Sequence, residues 1–249
     1  MSDAELLSIQ YQTLFVTTAS GRIQRENDPD HSPGPRFWLA GCSTGNVAGV
    51  RADVADSVAA EIMALVATEP PLVAPGRNPE HLDRFIQLLS GDRSSLDVPA
   101  QKLGTTCQLP HDLEYQQDAR VTLIDSDTEE GKQLHASLGA NGLPDDLVNL
   151  GFHGVWDFWP PWCVALREGE IASIAFAARL GDTGAELGVA TVHAHRGRGY
   201  AAAATAGWSR LESLRSRALF YSTDEINHSS KRVMARLRLR LLGASLRLI

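Results

Sequence analysis

Residues 189–208 constrain the fold more than any other part of this chain. An apolar stretch leads into a basic turn, and an alanine-rich stretch with the composition of a helix follows it. The turn contains two arginines and two glycines: Arg196, Gly197, Arg198 and Gly199. The glycines let the backbone approach a ligand, and a helix beginning near Tyr200 directs unpaired N–H groups and its positive dipole end into the same space. The segment predicts a strand, a phosphate-binding loop (residues 196–199) and a helix.

The same letters allow two other interpretations. Gly197-x-Gly199-x-x-Ala202 matches the dinucleotide fingerprint of a Rossmann fold, and Asp224 follows the next predicted strand. However, a chain of 249 residues leaves only 50 after Gly199, whereas a doubly wound domain needs several further βα units. The position of the loop in the chain therefore disfavours the Rossmann fold. A purely structural turn with solvated arginines is the other alternative.

Arg196-x-x-Gly199-x-Ala201 resembles the pyrophosphate-binding signature of the GNAT N-acetyltransferase superfamily, which uses acetyl-CoA as acyl donor. The resemblance implies a mixed α/β fold, a mostly antiparallel sheet flanked by helices whose central strands separate to admit the coenzyme. It also implies that a backbone N–H of the motif strand holds the thioester carbonyl. The residues expected to bind the coenzyme are Val192, His193, Arg196, Gly197, Arg198, Gly199, Tyr200, Ala201, Asn227 and Ser230.

A second signature of that superfamily, normally Asn-x-x-Ala-x-x-x-Tyr followed by Leu-Gly-Phe, has its spacing at Asn227, Ser230 and Met234 and at residues 237–239. The Tyr-Ser-Thr at residues 221–223 and the residues after it are similar to the tail of a bacterial subgroup, in which a GNAT core follows a longer N-terminal half. Asn227 has an alternative role as the cap of the last predicted helix.

Transfer of an acyl group to an amine needs a base. Glu186 begins the motif strand, where the superfamily often has a glutamate that acts directly or through water, although a charge on an edge strand is the alternative. His193 and His195 have a suitable intrinsic pKa, but a histidine beside a phosphate turn often orients backbone or faces solvent.

The leaving thiolate needs a proton. Met234 stands where the superfamily has its usual tyrosine and cannot donate one, and Arg238 replaces the glycine of Leu-Gly-Phe. Tyr221, Ser222 and Ser229 lie nearby in sequence and are candidate donors, and protonation by solvent is the alternative. Tyr221 also fits a core position with its hydroxyl satisfied.

The net charge of −7 and the pI near 5.6 argue against broad binding to nucleic acid or to anionic lipid. Residues 231–247 nevertheless hold six basic residues and no acidic one, which we interpret as a helix with solvated arginines or as contacts to a phosphate of coenzyme A. Two alternatives to an acetyl-CoA enzyme stay open: an acyltransferase of the same fold that uses aminoacyl-tRNA, and a non-catalytic coenzyme-binding module.

Neither a metal site nor a disulfide is indicated by the three separated cysteines, Cys42, Cys107 and Cys163. Since no apolar run approaches the roughly 20 residues of a membrane span and the N-terminus lacks signal-peptide order, we expect a cytoplasmic protein with no membrane partner. A small-molecule amine is the expected acceptor, and a homodimer is one assembly open to the chain.

Hydrophobic periodicity and turn residues predict the remaining elements. Strands are expected at residues 11–18, 36–40, 120–124, 162–167, 171–178, 185–194 and 217–223, and helices at 53–67 (capped by Asp53), 79–89, 128–138, after 199 and at the C-terminal end. Residues 90–117 carry few periodic signals. We therefore place a boundary near residue 116, between an N-terminal α/β domain (1–116) that shapes the acceptor site and a GNAT-like acyltransferase domain (117–249).

The acceptor pocket has one candidate wall in the sequence. Residues 156–162 form the most aromatic stretch, directly before the predicted hairpin, and Asp157 could pair with a cationic amine. The alternative is a proline-braced loop packed on the core.

Overall fold

The computed structural model describes residues 1–91 and 99–249. The described elements are, in chain order, α1 (Asp3–Leu14), β1 (Phe15–Thr17), β2 (Ile23–Glu26), β3 (Phe37–Cys42), β4 (Gly45–Val50), α2 (Asp56–Thr68), α3 (Leu82–Ser90), β5 (Gln101–Leu109), β6 (Val121–Asp125), α4 (Glu129–Asn141), α5 (Asp145–Val148), β7 (Trp162–Arg167), β8 (Glu170–Leu180), β9 (Gly184–Thr191), α6 (Tyr200–Trp208), β10 (Ala218–Asp224), α7 (His228–Arg236) and β11 (Arg240–Leu248).

One large sheet organises the described strands. Its order is β4-β3-β11-β5-β10-β9-β8-β7-β6, while β1 pairs with β2. Neighbouring strands of the large sheet are antiparallel except β9 and β10, which are parallel. The predicted fold class, a mixed and mostly antiparallel sheet flanked by helices, is confirmed.

Apolar residues cover both faces of this sheet. On one face, α2 and α3 pack against β3, β4 and β11, and α6 packs on β6 to β9. On the other face, α1 packs against β3 and β10, with Leu7, Trp38 and Phe220 fully buried. The segment between β6 and β7, which contains α4 and α5, covers β7 and β8 through a separate apolar cluster that includes Phe158 and Trp162. The sheet is therefore sandwiched between helices, and a site in it can be reached from two faces.

Most predicted elements are present, with ends that differ by a few residues. The first predicted strand, residues 11–18, is wrong over its first half because α1 continues to Leu14. Ser2 and Glu5 form a capping box at the start of this helix, and burial of its apolar face stabilises it. The predicted cap at Asp53 is also wrong: α2 begins at Asp56, and the Asp53 carboxylate pairs with Arg51 instead.

The C-terminal region differs most from the prediction. The predicted helix covers only α7, and residues 240–248 form β11, in which Ala244, Leu246 and Leu248 are buried in one apolar cluster. This spacing of two residues is the period of a strand with one face on a core. β5 lies within residues 90–117, where few signals were found, and its residues 101–109 occupy the centre of the sheet between β10 and β11.

The boundary near residue 116 stays a prediction. The sheet is continuous across it, since β5 pairs on both sides with strands from the C-terminal half, and β11 pairs with β3. Of the helices in residues 1–91 and 99–249, none combines the length and hydrophobicity needed to cross a lipid bilayer.

The register of β11 against β3 can be tested at Gly243. A Cβ there would lie 1.7 Å from the Gly41 carbonyl oxygen, so Gly243→Ala must displace backbone. We expect Gly243→Ala to lower the free energy of unfolding by about 1–3 kcal/mol or more, measured by urea denaturation. Gly139→Ala, on exposed α4 with its nearest neighbour at 3.8 Å, serves as the control and should stabilise by about 0.5–1 kcal/mol. Equal stability of the two variants would contradict this register.

Candidate active site

The parallel pairing of β9 with β10 is short. Only Ala218, Leu219 and Phe220 pair with Gly184, Ala185 and Glu186, and beyond this point the two strands separate. Their C-terminal halves, residues 187–191 and 221–224, therefore leave an opening in the sheet. The separation expected from the resemblance is present.

The loop of residues 196–199, which was predicted to bind phosphate, lies at the wide end of this opening. Gly197 and Gly199 have φ values of 79° and 91°, in the left-handed region that favours glycine, and Gly199 is the N-cap of α6. Arg196 Nε donates to the Thr191 carbonyl at 3.3 Å, which ties the loop to the end of β9. The first N–H groups of α6 lack intrahelical acceptors, so this helix start presents donors and a positive dipole end to an anion.

A cavity of about 710 Å³ joins the loop to the opening between the strands. Its lining comes from β9, the loop, α6, Tyr221 and α7, with Leu150 at one side. The predicted residues that line it are Arg196, Gly197, Gly199, Tyr200, Ala201, Tyr221, Asn227, Ser229 and Ser230. Most of the expected coenzyme-binding set is thus brought together from three separate elements.

Three expected residues do not line this cavity. His193 and Arg198 have exposed side chains in the turn before α6. Val192 is buried, and its N–H already donates to the Ala172 carbonyl at 3.1 Å. Roles for these residues at the coenzyme stay predictions, as does a catalytic role for His193. His195 does line the cavity, with its ring edge-on to Tyr200 at 5.6 Å.

Basic and phenolic side chains that lie far from the loop in sequence also reach it. Arg232 and Arg236 line the cavity from α7. A Cβ placed on Gly199 would lie 2.6 Å from Tyr115 Oη and 2.8 Å from Arg236 Nη1. The sequence carries a signal for the arginines in the basic C-terminal stretch, but no signal for Tyr115.

Asn227 performs the capping role that was its alternative. Its Oδ1 accepts from the Ser230 N–H at 3.1 Å and so begins α7. Asn227 and Ser230 also line the cavity, so capping and ligand contact are compatible at these positions.

Glu186 lies at the point where β9 and β10 separate, facing α1. It is buried, and three donors hold its carboxylate: Ser222 N at 2.6 Å, Ser222 Oγ, and Gln10 Nε2 at 3.1 Å. Burial raises the pKa of Glu186, and the Ser222 and Gln10 hydrogen bonds oppose that rise. A carboxyl held in this way is poised to accept a proton at a higher pH than an exposed glutamate.

A second, smaller cavity of about 190 Å³ lies on this α1 side of the sheet, and both Gln10 and Ser222 line it. Gln10 also donates to Thr106 Oγ1 at 3.3 Å. The pattern around residues 1–20 carried no indication that Gln10 would meet Glu186, because the two residues are joined only through the tertiary fold.

Tyr221 points to the other side of the sheet. It lines the large cavity, its side chain is buried, and its hydroxyl makes no hydrogen bond of good geometry within residues 1–91 and 99–249, although the nearby Ser230 side chain lowers its pKa in opposition to burial. Burial raises the pKa of Tyr221 to about 12, so the phenol keeps its proton at neutral pH. Adjacent residues of β10, Tyr221 and Ser222, therefore face the two different cavities, as the alternation of a strand requires.

Both departures from the second signature have structural consequences. Met234 is buried in the same apolar cluster as Tyr221. Arg238, which stands where that signature has glycine, has φ of 51°, in the left-handed region. The backbone conformation that favours glycine is thus present even though the glycine is absent.

The aromatic stretch 156–162 lines neither of these cavities. Phe158 and Trp162 are buried in the core, Trp156 is 70% exposed, and the Asp157 carboxylate accepts from the His153 and Gly154 N–H groups. The packed loop, the alternative interpretation, describes this segment. Within residues 1–91 and 99–249, no group of three or more His, Cys, Asp or Glu side chains is placed to hold a metal ion.

Comparison with known sequences identifies the domain. Residues 143–240 match the model of the acetyltransferase (GNAT) domain family, and this range includes β9, the phosphate-binding loop, α6 and α7. Among curated proteins, none matches this chain.

Solved structures with similar folds include three GNAT-type proteins. An acetyltransferase described as putative, from Novosphingobium aromaticivorans, is 19% identical, with 59% of this chain and 63% of that chain covered and a TM-score of 0.39. A GCN5-related N-acetyltransferase from Kribbella flavida is 17% identical, with 60% and 57% covered and a TM-score of 0.39. A GCN5-related N-acetyltransferase-like protein from Streptococcus suis is 16% identical, with 87% and 85% covered and a TM-score of 0.43.

This chain spans about three fifths of the length of the first two of these structures. The family assignment rests on the sequence match over residues 143–240, and the predicted resemblance is confirmed. Residues 143–240 of this chain are therefore identified as an acetyltransferase (GNAT) domain.

Proposed function

We propose that this protein transfers an acetyl group from acetyl-CoA directly to a primary amine of a small molecule. The observation that carries the proposal is the opening between β9 and β10, which has the loop of residues 196–199 and the large cavity on one face and the buried Glu186 on the other. A donor and an acceptor can therefore approach the same point from opposite sides of the sheet.

The residues present fit a coenzyme A thioester. The volume of about 710 Å³ is within the range of roughly 300–1,000 Å³ typical of ligand pockets. The loop and α6 supply backbone donors for a pyrophosphate, and Arg196, Arg232 and Arg236 supply positive charge around it. When bound, acetyl-CoA supplies an activated acetyl thioester.

Glu186 and Ser222 form the proton-accepting pair in this proposal. Ser222 Oγ donates to Glu186, so this hydroxyl can receive a proton from an ammonium group in the small cavity while its own proton passes to the carboxylate. Glu186 itself does not line the cavity, which favours relay through Ser222 over direct contact.

Tyr221 is the proton donor in this proposal. Tyr221 lines the large cavity and its hydroxyl stays protonated at neutral pH, so it can donate to a thiolate there. Ser229 also lines the cavity, and its Oγ accepts a hydrogen bond from Arg232 Nη2 at 3.4 Å. Because Arg232 occupies this hydroxyl, Ser229 is the weaker candidate for the proton donor. Acetyl-CoA as donor is consistent with a cytoplasmic location.

The loop is tested by Gly199→Ala. The substitution places a Cβ at φ 91° against Tyr115 Oη and Arg236 Nη1, and should weaken acetyl-CoA binding about tenfold or more, measured by calorimetry. Gly169→Ala is the matched control, since Gly169 has φ 87° in the β7–β8 turn and a Cβ there meets no atom within 4 Å. Unchanged affinity in Gly199→Ala would show that the coenzyme does not use this loop. Binding of charged tRNA but not of acetyl-CoA by the unaltered protein would favour the aminoacyl-tRNA donor.

The proton donor is tested by Tyr221→Phe. Because the hydroxyl makes no hydrogen bond of good geometry and has only the Ser230 side chain near it, its removal should change the melting temperature little. We expect kcat to fall about a hundredfold while the affinity for acetyl-CoA is retained, measured by thiol release. A variant with full kcat would indicate that solvent protonates the thiolate.

The base is tested by the pH dependence of kcat/KM. Because the pKa of Glu186 is raised, activity should fall as the pH drops through a value above the ordinary 4.5, where the carboxyl becomes protonated. Glu186→Gln should lower the rate by about 10²–10⁴-fold and remove this acid limb. Glu69→Gln, at another buried glutamate that binds backbone N–H groups far from β9, controls for loss of stability and should keep the limb. An acid limb that persists in Glu186→Gln would assign it to another group, and tight coenzyme binding without transfer to any amine would favour the non-catalytic module.

A further inference from the structure

The small cavity on the α1 side has a floor of small side chains on three adjacent strands. Ser222 of β10 pairs with Thr106 of β5, and Gly104 of β5 pairs with Ser245 of β11. A Cβ on Gly104 would lie 2.8 Å from Ser245 Oγ, so a larger residue at this position would crowd the floor. Its lining is mostly polar, which favours a polar occupant.

Gln10, which lines the inner end of this cavity, has a buried acceptor that lacks a donor within the described residues. Gln10 is 1% exposed, and its amide lies beside the Glu186 carboxylate. An ionised carboxylate can only accept hydrogen bonds, so Nε2 of Gln10, and not Oε1, must face Glu186. Gln10 Oε1 is thereby left with no donor in residues 1–91 and 99–249. A buried acceptor of this kind is costly unless a ligand or water donates to it, and an amine next to Ser222 would do so.

The outer end carries two cations on neighbouring strands. Arg247 pairs in register with Lys102, and both line the cavity. Arg247 Nη1 donates to Glu26 at 3.0 Å, and the Arg247 guanidinium lies 5.6 Å from the centre of the Phe15 ring. These two contacts hold the guanidinium in place and leave its other N–H groups available to a ligand. Lys102 has no ion pair within the described residues.

These two ends are separated by a limited distance. Thr106 and Lys102 are four residues apart on β5, or about 13 Å of strand, part of which the long side chains of Arg247 and Lys102 cover. A volume of about 190 Å³ is below the usual range for drug-sized ligands. Asp224 also lines this cavity, and its negative charge would repel a ligand that carries a second carboxylate.

We infer that the acceptor is a small amino monocarboxylic acid, whose amine lies at Gln10 and Ser222 and whose carboxylate lies at Arg247 and Lys102. The inference rests on the proposed function for the role of this ligand as acceptor, but binding of the ligand does not depend on it. An amine separated from its carboxylate by a short carbon chain spans the two ends best.

The test compares 4-aminobutyrate with butylamine, which lacks the carboxylate. Calorimetry without any donor should detect 4-aminobutyrate, with butylamine at least about tenfold weaker. Lys102→Gln should remove most of this preference, with unchanged affinity for acetyl-CoA and for butylamine, and Arg247→Gln should act in the same direction. Lys132→Gln, at an exposed lysine of α4, is the matched control and should keep the preference.

The outcomes separate the two proposals. Equal binding of both amines, or a preference that survives Lys102→Gln in a folded protein, would overturn the amino acid inference while transfer of acetyl groups to amines still stands. Preferential binding of 4-aminobutyrate by a protein that transfers no acetyl group would support the amino acid binding site, but would remove the proposed function and with it the role of this ligand as acceptor. Arg247→Gln also removes the ion pair between Arg247 and Glu26 and so changes more than the ligand site. Lys102→Gln, at an exposed side chain, is therefore the decisive variant.

Discussion

The short parallel contact between β9 and β10 is the constraint on which the site depends. Three residue pairs hold the strands together, and the pairing ends at Glu186 and Phe220. A longer ladder would close the sheet and separate its two faces completely. Because it ends there, the backbone beyond it is free to bind a ligand, and the alternation of β10 sends Tyr221 to one cavity and Ser222 to the other.

The parts of the site that could be predicted are local in sequence. Gly197 and Gly199 have the positive φ values that a tight turn into a helix requires, and Asn227 begins α7 through a contact three residues away. Such features need only a few consecutive residues to be recognised. The β7–β8 hairpin was predicted for the same reason, since its two apolar runs are joined by the turn at residues 168–169.

The parts that could not be predicted depend on distant contacts. Gln10 meets Glu186 across 176 positions, and Tyr115 reaches Gly199 from outside the motif. β11 was mistaken for helix because a bulge at residues 241–243 interrupts the alternation of its apolar residues. β5 lacked strong periodicity because its residues 104–107 are buried on both faces of the sheet. Burial in this sheet, which no short window of sequence reveals, decides these elements.

The central place of β5 also determines when the sheet can be completed during synthesis. Its two neighbours, β10 and β11, are made more than a hundred residues later, and β3 likewise waits for β11. Both edges of β5 therefore stay open on a growing chain, exposing backbone groups that could pair with another chain. Since such distant pairing slows folding, this protein should depend on chaperone protection until β11 has left the ribosome.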